Sequence, residues 1–255
     1  MSSPILTPAA LASEQRDYEG RGWRFVEAQH LVSTLKLVDS LAEQSLLEDL
    51  IEATKPPLPG ECRHLDYLLA TPFRYDSEYP RGSRFRRAGR TPGVFYASEH
   101  PHTAIAEIAY YRLLFFAESP ATPWPRNAAE YTGFAALIAT EHALDLTAPP
   151  LDRDRALWTD PLDYLACQSL ADGAREAGAL LLRYESVRDP LRRANLAILS
   201  CAAFAAPAPV ERQTWRIRLS ANGVQALCEF PRESVEIAIT AFARDPRMDV
   251  MHWDR

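Results

Sequence analysis

The chain is organised around the sequence Gly93-Val94-Phe95-Tyr96-Ala97-Ser98, followed by the stretch from Glu99 to Arg112. The three residues from Val94 to Tyr96 favour a strand, and the Pro-Gly pair before them favours a turn. Ser98 and Pro101 then mark the start of a helix. This stretch therefore predicts a short buried strand that runs directly into a helix.

The predicted helix carries one acid in an unusual position. Ile105, Ile108, Ala109 and Leu113 recur at three- and four-residue spacing, which is typical of a helix with a buried face. Glu107 lies among these small and apolar neighbours. Its carboxylate either belongs to a solvated stripe or points into a cleft, and the spacing alone leaves both interpretations open.

The composition is that of an ordinary globular chain of 255 residues, with 47% hydrophobic and 24% charged residues. A chain of this length can bury a sizeable core in one large domain. Its formal net charge of -6 argues against binding to nucleic acid or to an anionic membrane by bulk electrostatics. No apolar run approaches the roughly 18 residues that a membrane-spanning helix needs.

The cysteines and histidines suggest neither a disulfide framework nor a metal site. Four cysteines are widely separated, without a CxxC pair, and no secretory signal is present, so we expect reduced thiols in a cytoplasmic protein. Cys167 and Cys201 lie in apolar stretches and are expected in the core. His100 and His102 flank Pro101, but no third ligand accompanies them and no HExxH spacing occurs, so no metal is expected.

The N-terminal 60 residues differ in pattern from the rest. Gly22 to Val26 is predicted to be a strand, and Thr34 to Ala53 a long amphipathic helix. The proline-rich stretch from Lys55 to Gly60 ends this helix. We therefore expect an extension over residues 1–60, with its helix packed on the body, and one globular unit over residues 61–255.

The remaining elements are short and separated by turns. A loop with two consecutive prolines, residues 147–159, is expected to be exposed and mobile. Asp160-Pro161 opens a helix that ends near Gly178. Strands are predicted at 131–139, 143–146, 179–184 and 195–201, and as a hairpin of 214–219 with 224–230 across Asn222-Gly223. The result is an α+β domain with seven or eight short strands.

Several common chemical motifs are missing. The sequence contains no GxGxxG, no GxxxxGK[ST] and no GxSxG motif, so the usual dinucleotide, nucleotide and serine-hydrolase sites are not indicated. Its densest charge feature is a run of five arginines: Arg81, Arg84, Arg86, Arg87 and Arg90. This run is either a solvated loop or a phosphate clamp, because guanidinium groups bind phosphate oxygens bidentately.

Five stretches in order resemble the RES-domain family of bacterial toxins, and its longer ParT-type members in particular. They are Leu-Leu-Ala-Thr-Pro-Phe-Arg-Tyr (68–75), Gly-Ser-Arg-Phe-Arg (82–86), the stretch from Gly-Val-Phe-Tyr to Ala-Ile-Ala-Glu (93–107), Gln168, and Tyr-Glu-Ser-Val-Arg-Asp-Pro (184–190). Together they span roughly residues 65–205. The chain exceeds a minimal RES domain by its N-terminal segment, the loop at 147–160 and the two C-terminal strands.

The resemblance implies a compact fold similar to the ADP-ribosyltransferase toxins, with short strands in two small sheets, flanking helices and NAD bound between the sheets. NAD is then a substrate. Carried over by motif, the catalytic residues are Arg74, Glu107 and Ser186. The residues that bind NAD are Arg74, Tyr75, Arg84, Tyr96, Glu107 and Ser186.

The chemistry of NAD cleavage independently suits these residue types. Breaking the bond between nicotinamide and ribose passes through an oxocarbenium-like sugar, and pyridinium leaves without a proton donor. One acid should therefore suffice. Glu107 would stabilise the positive sugar, Arg74 and Arg84 would hold the pyrophosphate or ribose, Tyr96 would face the nicotinamide, and Ser186 would orient a polar group. A turn serine that bonds its own backbone is the alternative for Ser186.

The family resemblance further implies the toxin of a toxin-antitoxin pair. Its partners would be a helical Xre/ParS-like antitoxin and a cytoplasmic protein that accepts ADP-ribose, for example ribose-phosphate pyrophosphokinase. One alternative is NAD loss to water or phosphate without a protein acceptor. Another is a non-catalytic binding module that uses the N-terminal helix and the arginine loop as surfaces.

Overall fold

The structure, a computed structural model, describes residues 7–27, 37–74 and 82–248. Within these residues the strands are β1 (Arg16–Glu27), β2 (Phe95–Ser98), β3 (Ala129–Asp145), β4 (Leu181–Glu185), β5 (Ala194–Ile198), β6 (Glu211–Ser220), β7 (Gly223–Cys228) and β8 (Glu233–Ala238). The α-helices are α1 (Pro8–Ser13), α2 (Leu41–Thr54), α3 (Tyr67–Ala70), α4 (Pro101–Glu118), α5 (Arg155–Trp158) and α6 (Leu165–Glu176). Short 3-10 turns occupy Gly60–Cys62, Thr71–Phe73, Leu151–Asp154, Cys201–Ala203, Ile239–Phe242 and Pro246–Met248.

All eight strands belong to one sheet, and β3 is its centre. β3 pairs antiparallel with β1 along most of its length. On its other edge its first residues pair with β6 and its last three pair parallel with β4. The order is β1-β2-β5-β4-β3-β6-β7-β8, and the extra β1–β3 pairing closes the first five strands into a ring.

The α+β class predicted from the sequence is confirmed. The two small sheets expected from the resemblance are instead one eight-stranded sheet among the described residues, because β3, with 17 residues, pairs with β6 at one end and β4 at the other. Two stretches predicted as separate strands, 131–139 and 143–146, are parts of this one strand. The predicted hairpin is also confirmed, as β6 and β7 meet across Asn222-Gly223 with a positive φ at Gly223.

The strand and helix predicted over residues 93–112 are confirmed as β2 and α4. α4 buries Ile105, Ala109 and Leu113 against a core that includes Trp23 of β1 and Trp215 of β6. An apolar face of this width explains why the helix lies across the sheet, since burial of each large side chain contributes roughly 1.5–3 kcal/mol. The same packing fixes the direction in which Glu107 points.

A second core lies under α6. Cys167, Leu170 and Ala174 of this helix pack against Leu182 of β4 and against Trp158. The side chain of Trp158 is buried, and its indole nitrogen donates to the carbonyl oxygen of Leu151 at 2.7 Å. The sequence predicted an exposed, mobile loop at 147–159, and that is wrong for its second half, because two short helical turns bury Leu151 and Trp158.

Helix α2 differs from the expected N-terminal helix in extent and in packing. It begins at Leu41, and Ser40 caps it by accepting from the backbone N–H of Glu43. The first part of the predicted helix falls on residues 34–36, outside the described residues. The sequence suggested that its apolar stripe packs on the body, but none of its residues is buried and Leu46 and Leu50 are exposed, because no described element covers that face. By contrast, β1, from the same N-terminal segment, is part of the main sheet.

We expect substitutions on α2 to leave stability almost unchanged. Leu46→Ala should alter the free energy of unfolding by at most about 0.5 kcal/mol, since the side chain is 60% exposed. Leu113→Ala on α4 is the matched change in the core and should cost about 2–5 kcal/mol. Urea denaturation measures both. A cost for Leu46→Ala close to that for Leu113→Ala would contradict the exposed position of α2.

Candidate active site

The carboxylate of Glu107 is held from two sides where α4 crosses the sheet. The Ser186 hydroxyl, just after β4, donates to Glu107 Oε1 at 2.6 Å. The Asn195 side-chain amide, on β5, donates to the same oxygen at 2.6 Å. No hydrogen bond from the described residues reaches Oε2. The sequence left open whether this acid is solvated or in a cleft; in the structure it is partly buried, and one of its oxygens is held by two buried side chains.

Ser186 has a single orientation in this arrangement. Its hydroxyl oxygen accepts from the backbone N–H groups of Arg188 at 3.2 Å and Asp189 at 3.0 Å. A hydroxyl has two lone pairs and one hydrogen, so with both lone pairs engaged the hydrogen goes to Glu107. Ser186 is fully buried. It is therefore both a turn serine that bonds its own loop and a support for the carboxylate.

Asn195 and Ser98 are site residues that the sequence analysis did not identify. Antiparallel pairing of β2 with β5 places them opposite each other, and the Ser98 hydroxyl donates to Asn195 Oδ1 at 2.6 Å. Both side chains are buried. Their meeting depends on the register between strands about 100 residues apart. A buried asparagine in an apolar strand was the only local sign.

The cleft around Glu107 is lined by tyrosines. Tyr184 of β4 is buried, and burial, reinforced by the nearby Glu107 carboxylate, raises the pKa of its hydroxyl well above the ordinary value. Tyr96, Arg84 and Tyr111 also lie close enough to act electrostatically on Tyr184. Tyr111 lies one helical turn after Glu107 and remains 55% exposed. Aromatic and polar side chains therefore lie near Glu107, and one of them is open to solvent.

Arg84 lies in the loop before β2. It is buried, its Nη1 donates to the carbonyl oxygen of Trp158 at 2.8 Å, and its guanidinium lies 4.7 Å from the centre of the Tyr164 ring. Burial alone would lower its pKa, but nearby Cys167, Tyr164 and Tyr184 outweigh that effect and the pKa is raised. Its Nε and Nη2 donate to no described residue, so they remain available to an anionic ligand.

Tyr96 is fixed by its hydroxyl group. It accepts from the backbone N–H of Phe85 at 2.9 Å and shares a 2.8 Å hydrogen bond with the Ser83 hydroxyl. The Gln168 amide of α6 donates to the carbonyl oxygens of Ser83 at 3.0 Å and Arg86 at 3.3 Å, which holds the same turn. Tyr96 and Gln168 thus set the position of the turn that carries Arg84.

Arg74 lies in a different environment from the one predicted. Its Nη1 donates to the carbonyl oxygen of Pro56 at 2.7 Å, and its Nη2 pairs with Glu52 of α2, so its described partners belong to the N-terminal segment rather than to the Glu107 cluster. Its Nε is buried without a hydrogen-bond partner among the described residues. Tyr75, the next predicted site residue, lies outside the described residues. The roles of both remain predictions.

The segment before Arg74 nevertheless approaches the start of β2. A Cβ on Gly93 would lie 1.9 Å from the carbonyl oxygen of Pro72, so a side chain at this position would clash with the backbone. Glycine at 93 is therefore required for the close approach of the two segments. This contact places the segment before Arg74 next to the start of β2, the strand that carries Tyr96.

Two other arginines of the basic run have structural partners. Arg86 donates to Thr91, and Arg87 pairs with Asp172 of α6 at 2.6 Å. Arg81 lies outside the described residues. Of the phosphate-clamp interpretation, the described part of the chain supports Arg84 most clearly, because its Nε and Nη2 donate to no described residue.

Cys167 lies beside Arg84, and the histidines considered for a metal site have other contacts. His102 contacts Glu233 at 3.1 Å, and no group of three or more metal-binding side chains occurs among residues 7–27, 37–74 and 82–248. All four cysteines are buried free thiols. In the same part of the chain, no helix is long and apolar enough to cross a membrane.

Comparison with known proteins gives a family match over most of the chain. A family model described as RES domain matches residues 58–220, which include all six predicted site residues. A search of curated proteins finds no match. Among solved structures, the chain is similar to one in the crystal structure of the M. tuberculosis MbcT-MbcA toxin-antitoxin complex, with a TM-score of 0.46 and 13% identity, covering 95% of this chain and 98% of that one.

Proposed function

The chain belongs to the RES domain family, and we propose that it is the toxin of a toxin-antitoxin pair that cleaves NAD and releases nicotinamide. One observation carries this proposal. The Glu107 carboxylate is held on Oε1 by Ser186 and Asn195, while Oε2 receives no hydrogen bond from the described residues. An oriented carboxylate beside aromatic rings and a guanidinium suits a substrate whose sugar becomes positive while its phosphates are negative.

Each site residue has a distinct task in this reaction. The bond between ribose C1′ and the nicotinamide nitrogen breaks, and its electron pair leaves with nicotinamide, so no proton donor is needed. Oε2 of Glu107 stabilises the positive charge that develops on the ribose. Arg84 binds a phosphate oxygen through its available nitrogens, and the ring of Tyr96 faces the nicotinamide.

Ser186 acts on the carboxylate rather than on the substrate. Its only hydrogen is given to Glu107, so it does not attack the sugar. Arg74 is proposed as a second group for the pyrophosphate or ribose, because its Nε is buried without a described partner. That task requires its guanidinium to exchange Glu52 for the substrate.

The acceptor of ADP-ribose is proposed to be a cytoplasmic protein, for example ribose-phosphate pyrophosphokinase, and the controlling partner a helical Xre/ParS-like antitoxin. Both proposals rest on the family resemblance. A nucleophilic side chain of the acceptor, water or phosphate would each form the new bond to C1′ in the same way. The described site therefore supports cleavage of NAD in either form of the reaction.

NAD labelled in its adenylate part separates these outcomes. We expect the protein to release nicotinamide and to place label on a protein band when a candidate acceptor is present. Free ADP-ribose or its phosphate as the only labelled product would contradict protein transfer and support the glycohydrolase or phosphorylase alternative. No nicotinamide release under any condition would contradict the proposed enzyme and favour a non-catalytic binding module.

A further inference from the structure

The side chain of Asn195 connects helix α4 with strand β2. Its Nδ2 donates to Glu107 Oε1 on α4, and its Oδ1 accepts from the Ser98 hydroxyl on β2, both at 2.6 Å. Asn195 and Ser98 are each only 2% exposed. Water therefore has little access to these bonds, and rotating the amide would break both of them.

The direction of each donor follows from the chain of bonds. The Ser98 hydroxyl donates to the amide oxygen, so the amide nitrogen faces Glu107 and presents only hydrogen-bond donors to it. A carboxylate offers only acceptor oxygens, so the donors of Asn195 match Oε1 of Glu107 in this orientation.

Both donors act on the same oxygen of Glu107. Ser186 and Asn195 meet at Oε1 from different strands, and neither contacts Oε2. Two bonds from fixed positions determine both where the carboxylate lies and how its plane is turned. The free oxygen is then presented in one direction without reorganisation during the reaction.

We propose that Asn195, held in place by Ser98, is a positioning residue for NAD cleavage: it fixes the plane of the Glu107 carboxylate and so presents Oε2 to the ribose. This inference rests on the proposed function. Neither residue touches the substrate in this arrangement, and both act through Glu107. No local motif indicates them, because the contact depends on the pairing Ser98↔Asn195 between β2 and β5.

Asn195→Asp provides the sharpest test. The substitution preserves shape but places two carboxylates within hydrogen-bond distance, so they share a proton and one pKa rises. The acidic limb of the pH profile of kcat should move upward by about 1 unit or more, with activity lost at low pH and recovered as pH increases. An aspartate at position 195 that did not contact Glu107 would leave this limb in place.

Two further variants test orientation without adding charge. Asn195→Ala should lower kcat for nicotinamide release by about 10- to 50-fold with little change in KM, because a misdirected carboxylate loses transition-state interactions. Ser98→Ala should lower kcat less, in the same direction, since Asn195 keeps its bond to Glu107. The Ser98→Ala variant also keeps the proposal testable if Asn195 variants fail to fold. Unchanged kcat in Ser98→Ala together with an unmoved pH profile in Asn195→Asp would overturn the proposal.

A second readout does not require activity. The ionisable groups near Glu107 are Tyr96 on β2, Tyr111 on α4, Tyr164, Tyr184 on β4, Arg84 and Arg188, all of which are unchanged in the variants. Carbon-13 NMR of the Glu107 carboxyl carbon, assigned with Glu107→Gln, should show a higher apparent pKa in Asn195→Asp than in wild type. Asn222→Asp, in the exposed β6–β7 turn, is the matched control and should leave that pKa unchanged.

The two readouts separate the two proposals. Absence of nicotinamide release by the wild-type protein would overturn the proposed function, while the NMR titration would still decide whether Asn195 controls Glu107. An unchanged Glu107 titration in Asn195→Asp would overturn the positioning role even in an active enzyme. A raised apparent pKa with a shifted pH profile would support both.

Discussion

Glu107→Gln should lower nicotinamide release from NAD by about 100- to 1000-fold, the range expected when one preorganised electrostatic group is removed. The substitution is isosteric, and the new amide oxygen can still accept from Ser186 and Asn195. It removes only the negative charge that opposes the developing positive charge on the ribose. The loss should therefore appear mainly in kcat, with a smaller effect on KM.

Glu118→Gln at the end of α4 is the matched control, because it makes the same change on the same helix at an exposed position. It should retain wild-type turnover. Steady-state measurement of nicotinamide by chromatography, with the melting temperature of each variant, distinguishes lost chemistry from lost folding. Turnover by Glu107→Gln within about threefold of wild type would refute the assigned role of this carboxylate, given the 100-fold minimum expected.

Local patterns in the sequence predicted much of the fold. The strand and helix around Tyr96 and Glu107 could be identified because turn residues, a β-favouring run and a helical period follow each other without conflict. The β6–β7 hairpin was equally clear from alternation and its Asn-Gly turn. β3 was divided at residues 140–142 because a strand that exchanges one partner for another there carries no single alternating pattern.

The site was predicted only in part, and the missing part is non-local. Ser186 and Glu107 were chosen from the family motif and they do contact each other. Asn195 and Ser98 were not chosen because their roles arise from strand register, which a single sequence does not display. Arg74 illustrates the reverse: its motif position was clear, but its contacts with Glu52 and Pro56 depend on how the N-terminal segment lies.

The loop after Ser186 depends on a buried ionic network that also could not be foreseen. Asp245, near the C-terminus, accepts from the Tyr110 hydroxyl at 2.5 Å and pairs with Arg188 at 2.9 Å, and neither Asp245 nor Arg188 is appreciably exposed. The Arg188 guanidinium also lies 3.7 Å from the centre of the Tyr110 ring. Because the backbone N–H of Arg188 donates to Ser186, this network helps to set the loop that holds Glu107.

Asp245→Asn should reduce the free energy of unfolding by about 3–5 kcal/mol, the range for breaking a buried ion pair and leaving one charge unpaired. The variant keeps the shape of the side chain but leaves the buried Arg188 guanidinium without its counter-ion. Arg247, which also pairs with Asp245 at 2.7 Å, is partly exposed and can be solvated. Guanidinium chloride denaturation at pH 7 measures the change as a lower midpoint with an unchanged slope.

The same network predicts how stability depends on pH. Burial acts to raise the pKa of Asp245, but hydrogen bonds from Arg247 and Tyr110 outweigh it and hold the pKa below its ordinary value. A carboxyl group with a lowered pKa stabilises the fold fully above its unfolded pKa of about 3.9 and loses that contribution as pH falls toward the folded pKa. Wild-type stability should therefore decline below about pH 4, and this part of the decline should be absent in Asp245→Asn.

Asp172→Asn is the control for both measurements. Asp172 pairs with Arg87 at 2.6 Å, but its side chain is 51% exposed, so the pair is solvated and should contribute at most about 1 kcal/mol. The two variants remove the same charge from pairs that differ mainly in burial. Equal losses at pH 7 would show that burial of the Arg188–Asp245 pair does not determine its effect. If only Asp245→Asn loses stability, and if its difference from wild type disappears at lower pH, the loss is due to the ionised carboxylate of Asp245.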